Sequence, residues 1–327
     1  MQSPGLKLSE NILKSFCVTK EFKDCGDQIN NLDFSDDGQH LIASSDDDFI
    51  MLYECANEGI HKLKFPNKKY GVSNICFTHN SDSIIYSSNK TNDDIRYQSL
   101  KDRKFIQYFA GHRKLVNCIS MHPVENTFLS SSLDKTVCIW DLNQANSLRN
   151  IPMTGVPIAC FDPEGIVFAA AIDSETIKLF DLRQCQKGPF SVFKYPKERD
   201  CEWTQLKFSP NGRYLLVSTN SSAVRLVDAI NGEPLQTLKI GCSNTQGLPL
   251  ETSFTPDSTY VLSGSEEGKI YISKAETGSL STVISCKTPV ENPPIPALCV
   301  KFNPCYMMLA SSHNNSLKFW LPTYKDE

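Results

Sequence analysis

The chain is built from short runs in which apolar and polar positions alternate, and the same local grammar returns along its whole length. A run such as "VNCIS", "WTQLKF" or "ALCVKF" leads to an aromatic or apolar anchor and a polar turn. A second run follows ("TFLSSS", "RYLLVST", "TYVLSGS"), then a polar hairpin tip, then a third ("TVCIWDL", "TIKLFDL", "AVRLVDA", "KIYIS", "SLKFW"). Period-two alternation with many β-branched residues predicts strands. Asp37-Gly38, Glu164-Gly165, Asn211-Gly212 and Glu267-Gly268 supply the glycine that tight turns need. A weaker fourth run ("FIQYF", "FSVFKY", "LQTLKI") leads to the next unit, and no convincing helical stripe interrupts the pattern.

The anchors fall at Phe34, Phe77, Met121, Phe161, Phe208, Phe254 and Phe302, with gaps of 43, 44, 40, 47, 46 and 48 residues. One four-stranded propeller blade takes ~40–45 residues. The spacing therefore predicts an all-β, seven-bladed propeller. After "SLKFWLP" the chain ends within a few residues, leaving the seventh blade one strand short, while "ILKSFCVTKEF" (12–22) precedes the first anchor as a spare strand. That strand is expected to complete the seventh blade and close the ring, because closure removes exposed sheet edges. A single domain over 12–324 follows, with 1–11 and 325–327 expected as flexible ends.

Composition adds little to this picture. Hydrophobic residues make up 40% and charged residues 21% of the 327-residue chain, the balance of a globular protein with a sizeable core. The net charge of -4 comes from interspersed acids and bases, so no grip on a nucleic-acid backbone driven by a basic block is expected. The thirteen cysteines form no C-x-x-C pair, and Cys76, Cys118, Cys138 and Cys160 sit inside apolar runs as small hydrophobes. This predicts a reducing compartment, and the dispersed histidines suggest no metal site. No secretory leader or membrane-length apolar run is visible, so a soluble intracellular protein without a membrane partner is expected.

The stretch 111–142, "GHRKLVNCISMHPVENTFLSSSLDKTVCIWDL", carries His112, Ser132 and Asp134 and invites a catalytic reading. Its "GH…WD" resembles the WD-repeat signature, and only the third unit carries it in full. In that family the histidine, the hairpin-tip aspartate and the tryptophan form a brace, which the resemblance places at His112, Asp134 and Trp140. No G-x-S-x-G elbow, H-E-x-x-H or phosphate-cradling glycine loop is present, so no enzyme and no cofactor are expected. The acids between Asp36 and Asp48 fall on two separate turns, which favours solvated loop tips over a calcium site.

Binding is then the expected role, since a propeller offers a rigid platform of loops. The loops that lead into each first strand include "NKKYGV" (67–72), "GHRKLV" (111–116), "ERDCEWT" (198–204) and "VENPPIPA" (290–297). Tyr70 and Trp203 are candidate aromatic anchors. Lys68, Lys69, Arg113 and Lys114 are candidates for pairing with phosphate or carboxylate.

Four longer stretches, 126–142, 161–190, 202–233 and 251–270, together with "KKYG" and "FWLP", resemble the Swd2-type WD-repeat subunits. That resemblance implies a nuclear, non-catalytic scaffold shared by two assemblies. One is the COMPASS-type SET-domain histone methyltransferase; the other is the phosphatase module linked to cleavage, polyadenylation and transcription termination. It implies as partners the SET-domain subunit, a phosphatase regulatory subunit and the phosphorylated tail of RNA polymerase II. Blade six, lacking a tryptophan in "YISKAETG", and the loose hairpin "SSNKTNDDI" depart from the repeat pattern. An alternative is a substrate receptor of a cullin-type ubiquitin ligase, which "FDLR" (Phe180 to Arg183) suggests through its likeness to W-D-x-R.

Overall fold

A computed structural model describes residues 7–56, 60–239, 244–285 and 294–323. They form seven four-stranded antiparallel sheets, each a meander in chain order except the last. Blade 1 runs Ile29–Phe34, His40–Ser45, Phe49–Glu54 and Ile60–Pro66. Blade 2 runs Ser73–Phe77, Ser83–Ser87, Ile95–Ser99 and Phe105–Phe109, and blade 3 runs Val116–Met121, Thr127–Ser132, Thr136–Asp141 and Arg149–Pro152. Blade 4 comprises Pro157–Phe161, Val167–Ile172, Thr176–Asp181 and Ser191–Lys194. Blades 5 and 6 start at Trp203–Phe208 and Thr252–Phe254. In blade 7, Ala297–Phe302, Leu309–His313 and Ser316–Pro322 are joined by Phe16–Phe22, which pairs antiparallel with Ser316–Pro322.

Burial follows position in the blade. The second and third strands are sandwiched between neighbouring blades and bury both faces, as in Thr127–Ser132 and Tyr214–Thr219. Fourth strands lie at the circumference and bury alternate residues, as Phe105–Phe109 does. The blades are latched to one another at the turns between first and second strands. His122 donates from Nε2 to the Gly165 carbonyl at 3.0 Å, and Asn303 donates to the Gly38 carbonyl at 2.7 Å. Gly165 and Gly38 have φ of 73° and 69°, and an added Cβ would stand 2.3 Å from the latching side chain in each case. Only glycine meets both demands.

The N-terminal segment departs from expectation. Glu10–Lys14 is a helix, and the closing strand starts at Phe16 rather than at residue 12. Ser9 caps the helix by accepting from the Ile12 N–H, and Glu10 pairs with Lys14 at 2.9 Å. Leu8, Leu13 and Phe16 are buried against blades 6 and 7, so residues 7–11 are packed rather than free. The expected loose ends at 1–6 and 325–327, with residue 324, lie outside the described residues. So do residues 290–293 of the "VENPPIPA" loop.

Candidate functional site

His112, Asp134 and Trp140 do converge, and a fourth residue completes them. His112 Nδ1 lies 3.0 Å from Asp134 Oδ2, and its Nε2 lies 2.7 Å from Ser130 Oγ. The Trp140 indole N–H donates to the same Ser130 oxygen at 2.8 Å. Burial alone would raise the Asp134 carboxyl; hydrogen bonds from the Thr136 hydroxyl, the Arg113 N–H and His112 outweigh it and hold the group low. Serine, histidine and aspartate here have the order of a nucleophilic triad. The Ser130 hydroxyl is nevertheless occupied from both sides and wholly buried, and the His112 side chain is 1% exposed, so no substrate reaches them. Ser132, which the sequence offers instead, bonds the Lys114 carbonyl. Strand alternation places Ser130 and Trp140 on one face through the pairing of Phe128 with Trp140 and Ser130 with Cys138, a signal the sequence carries.

Within each meander, the loops joining consecutive blades and the turns joining second to third strands open on one face. Lys68, Lys69, Tyr70, Arg113 and Lys114 all lie there. The structure gathers only the first three. Asn67, buried, bonds the Tyr86 hydroxyl at 2.6 Å and organises a turn through its carbonyl, which accepts from the N–H groups of Tyr70 and Gly71. Lys68 and Lys69 thereby stand at a depression of about 470 Å³ on the seam between blades 1 and 2, with Phe65, Phe105 and Arg103. Arg103, from the turn before the fourth strand of blade 2, was not singled out in the sequence. Behind the pocket wall, Arg96 is 1% exposed, and its guanidinium stacks 3.7 Å from the Tyr70 ring centre. It donates to Asn92 Oδ1 at 2.8 Å, its Nε has no partner, and it makes no ion pair among the described residues. The hydrogen bond from Lys69, with the charges of Lys69 and Arg96, holds the Tyr70 phenol below its usual range. The local potential is therefore positive, over an aromatic wall.

Arg113 and Lys114 are exposed in the next loop, held by Asp134 of the brace through the Arg113 N–H and by Ser132 through the Lys114 carbonyl, and do not line this pocket. Trp203 is a correction: it is 8% exposed and packs its ring edge-on to Tyr195 at 5.9 Å. As the first residue of an inner strand it is drawn into the seam between blades 4 and 5 and offers no free anchor.

The central channel, about 470 Å³, holds Asp33, Lys207, Glu251 and Lys301. Lys207 and Lys301 lie 3.0 and 3.8 Å from Glu251, and Lys301 lies 3.0 Å from Asp33. Burial would raise the Glu251 carboxyl, but the two ammonium groups hold it low. Burial pushes the channel thiols Cys118 and Cys299 up to about 11 and about 12, leaving them neutral. The charges cancel one another. Among the described residues no group of three or more His, Cys, Asp or Glu side chains is placed to hold a metal ion.

Seven closed blades and the His–Ser–Asp–Trp brace define a WD-repeat β-propeller. The profile described as "WD domain, G-beta repeat" matches residues 16–54 and 103–141, and that of the "Anaphase-promoting complex subunit 4 WD40 domain" matches 168–250. The chain is 48% identical to "WD repeat-containing protein 82" of Drosophila melanogaster, over 98% of this chain and 99% of the relative. It is 38% identical to the "COMPASS component SWD2" of Saccharomyces cerevisiae, over 80% and 81% of the two chains. It is 34% identical to the "Set1 complex component swd2" of Schizosaccharomyces pombe, over 64% and 58%. The chain belongs to the SWD2 and WD repeat-containing protein 82 family of WD-repeat proteins.

Proposed function

We propose that this chain is a non-catalytic scaffold subunit of a nuclear COMPASS-type histone methyltransferase. It also serves the phosphatase module of 3′-end processing and termination, and it docks the phosphorylated tail of RNA polymerase II. Kinship over 80% and 64% of this chain with proteins named as COMPASS and Set1 complex components supports the first part. Purification of complexes through a tag on this chain tests it. The SET-domain subunit is expected in the eluate, phosphatase and 3′-end processing subunits mark the second assembly, and recovery of neither overturns the reading.

The docking rests on the pocket between blades 1 and 2. Lys68, Lys69 and Arg103 make no ion pair among the described residues, and Arg96, whose charge also acts on the Asp94 carboxylate, adds a buried positive charge behind Tyr70. Three cations without an ion-pair partner at one hollow favour an anion seated there. Fluorescence anisotropy with a phosphoserine tail peptide and its unphosphorylated twin tests this. Binding is expected for the phosphopeptide and at least about tenfold weaker for Lys68→Glu/Arg103→Glu, since one opposed contact is worth about 1.4 kcal/mol. Reversal of Arg113 and Lys114 is expected to do less. Equal affinity for both peptides overturns the reading.

A second reading, a substrate receptor of a cullin-type ligase, retains one supporting observation. The Arg183 side chain is exposed and makes no ion pair among the described residues. Its test is copurification with the ligase adaptor.

A further inference from the structure

The outer edge of blade 4 combines two features. Phe190 is 59% exposed just before the fourth strand, and Val192 is 45% exposed on that strand, whose outward backbone edge pairs with no other strand among the described residues. Beside them lies a depression of about 420 Å³ lined by Ile166, Val167, Asp181, Lys187, Pro189 and Phe190, in which the Asp181 carboxylate accepts from the Arg183 N–H. Ile166 is itself 42% exposed, from the turn between the first and second strands of the same blade. The segment from Arg183 to Lys197 carries four cations (Arg183, Lys187, Lys194 and Lys197) and no carboxylate. Lys178 adds a fifth by pairing across the sheet with Val192. None of the five makes an ion pair among the described residues; the Lys187 ammonium bonds only the Gln184 amide oxygen, at 2.9 Å.

Lysine along an exposed edge also guards against unwanted pairing. A guarded edge, however, does not need a bulky phenyl ring held in water beside an apolar hollow. Exposed aromatic and aliphatic side chains rimmed by an excess of cations, here five against the single Asp181 carboxylate, are the marks of a docking surface.

We infer that the outer edge of blade 4 docks an acidic linear segment of a partner protein. A bulky apolar side chain of that segment enters the hollow between Ile166 and Phe190, and its carboxylates lie over Arg183, Lys187 and Lys178. The free edge of Ser191–Lys194 accepts the segment as an added strand, so the backbone supplies affinity and the hollow supplies selectivity. This surface belongs to a different blade from the Lys68–Arg103 pocket and does not depend on the reading of that pocket.

A phage library of random dodecapeptides, selected on the folded full chain and counter-selected on Phe190→Ser, tests the proposal. Enriched sequences are expected to combine Asp or Glu with Leu, Ile, Phe or Trp. A synthetic peptide of the enriched sequence should bind the Arg183→Glu/Lys187→Glu chain at least about tenfold more weakly, bind the Lys68→Glu/Arg103→Glu chain unchanged, and weaken with salt. All four substituted surface positions are exposed or line open hollows, so the variants fold. Enrichment of basic or purely apolar peptides, no enrichment, or equal binding to both charge-reversed chains overturns the proposal. A concentration-dependent dimer lost in Phe190→Ser overturns it in favour of a second copy of this chain.

Discussion

Trp320 repeats in blade 7 the bond that Trp140 makes in blade 3: each indole N–H donates at 2.8 Å to a serine hydroxyl on the neighbouring strand, Ser311 and Ser130 respectively. The histidine that completes each set comes from a different place. His112 reaches Ser130 from the loop before blade 3, whereas His313 lies two residues beyond Ser311, with Nε2 at 2.9 Å from the hydroxyl. One physical demand, a partner for a buried indole N–H and for the serine that receives it, is met by two routes.

Ser130→Ala tests the brace. The substitution leaves the Trp140 N–H and the His112 Nε2 without a partner in a site closed to water, and each orphaned buried group costs about 1–3 kcal/mol. The urea midpoint should fall with an unchanged slope, while partner binding by the folded fraction persists. A midpoint equal to wild type would remove the brace from the account of stability.

His313 predicts an acid response. Burial first, and the Lys318 charge second, push its pKa down to about 3. An unfolded histidine titrates near 6.5, so between about 6.5 and 3 the unfolded chain binds the extra proton. Stability is whole above the unfolded value and declines as pH falls through this window, by up to about 1.4 kcal/mol per pH unit. His313→Asn lacks the titrating group. Its stability relative to wild type should therefore improve steadily as pH drops from about 6.5 to 4. Parallel pH curves for the two chains would count against a neutral, buried His313.

The packed N-terminal segment yields a third outcome. Leu13 is fully buried against blades 6 and 7, and Glu10 lies 3.5 Å from Lys274 of blade 6. Leu13→Ala should cost about 2–5 kcal/mol, the range for deleting a buried leucine. Truncation before Phe16 should cost at least as much while leaving the closing strand able to pair. Hydrogen exchange should show the loss in Phe16–Phe22 and Ser316–Pro322 before blade 3. Unaltered exchange in those strands would mean the helix is ornamental to closure.

The blades were legible because their signal is local: alternation, a polar turn and an anchor recur within every unit. His112, Asp134 and Trp140 were legible through the resemblance of "GH…WD" to the WD-repeat signature. Ser130 was missed in favour of Ser132, since both point to the same face and only distance from Trp140 separates them. The Glu10–Lys14 helix escaped because five residues give no periodic stripe, and its Ser9 cap is the one cue the sequence offered. Trp203 looked exposed by its loop and is buried because, as the first residue of the inner strand Trp203–Phe208, it packs into the seam between blades 4 and 5. Arg96 and Arg103 reach the same seam from the third strand and the following turn of blade 2, a meeting set by twist and packing that linear spacing does not encode.

The channel ion pairs give a last prediction. Glu251 Oε1 accepts from Gln205 at 3.2 Å and from Lys207 at 3.0 Å, and Lys207 also donates to the Thr252 carbonyl at 2.7 Å, tying blade 5 to blade 6. Removing one partner of a buried pair leaves an uncompensated charge and costs about 3–5 kcal/mol, whereas replacing both with apolar groups of similar volume is often near neutral. Glu251→Ala should thus be strongly destabilising, and Lys207→Met/Glu251→Leu should lie closer to wild type than Glu251→Ala does. The double-mutant cycle should return a coupling of at least about 1 kcal/mol. Phosphopeptide affinity of the folded variants should stay unchanged, because the pocket with Lys68 and Arg103 lies on the outer seam of other blades. Additive effects of the two substitutions would show that the channel charges are solvated independently, and that blades 5 and 6 are held by their apolar seam alone.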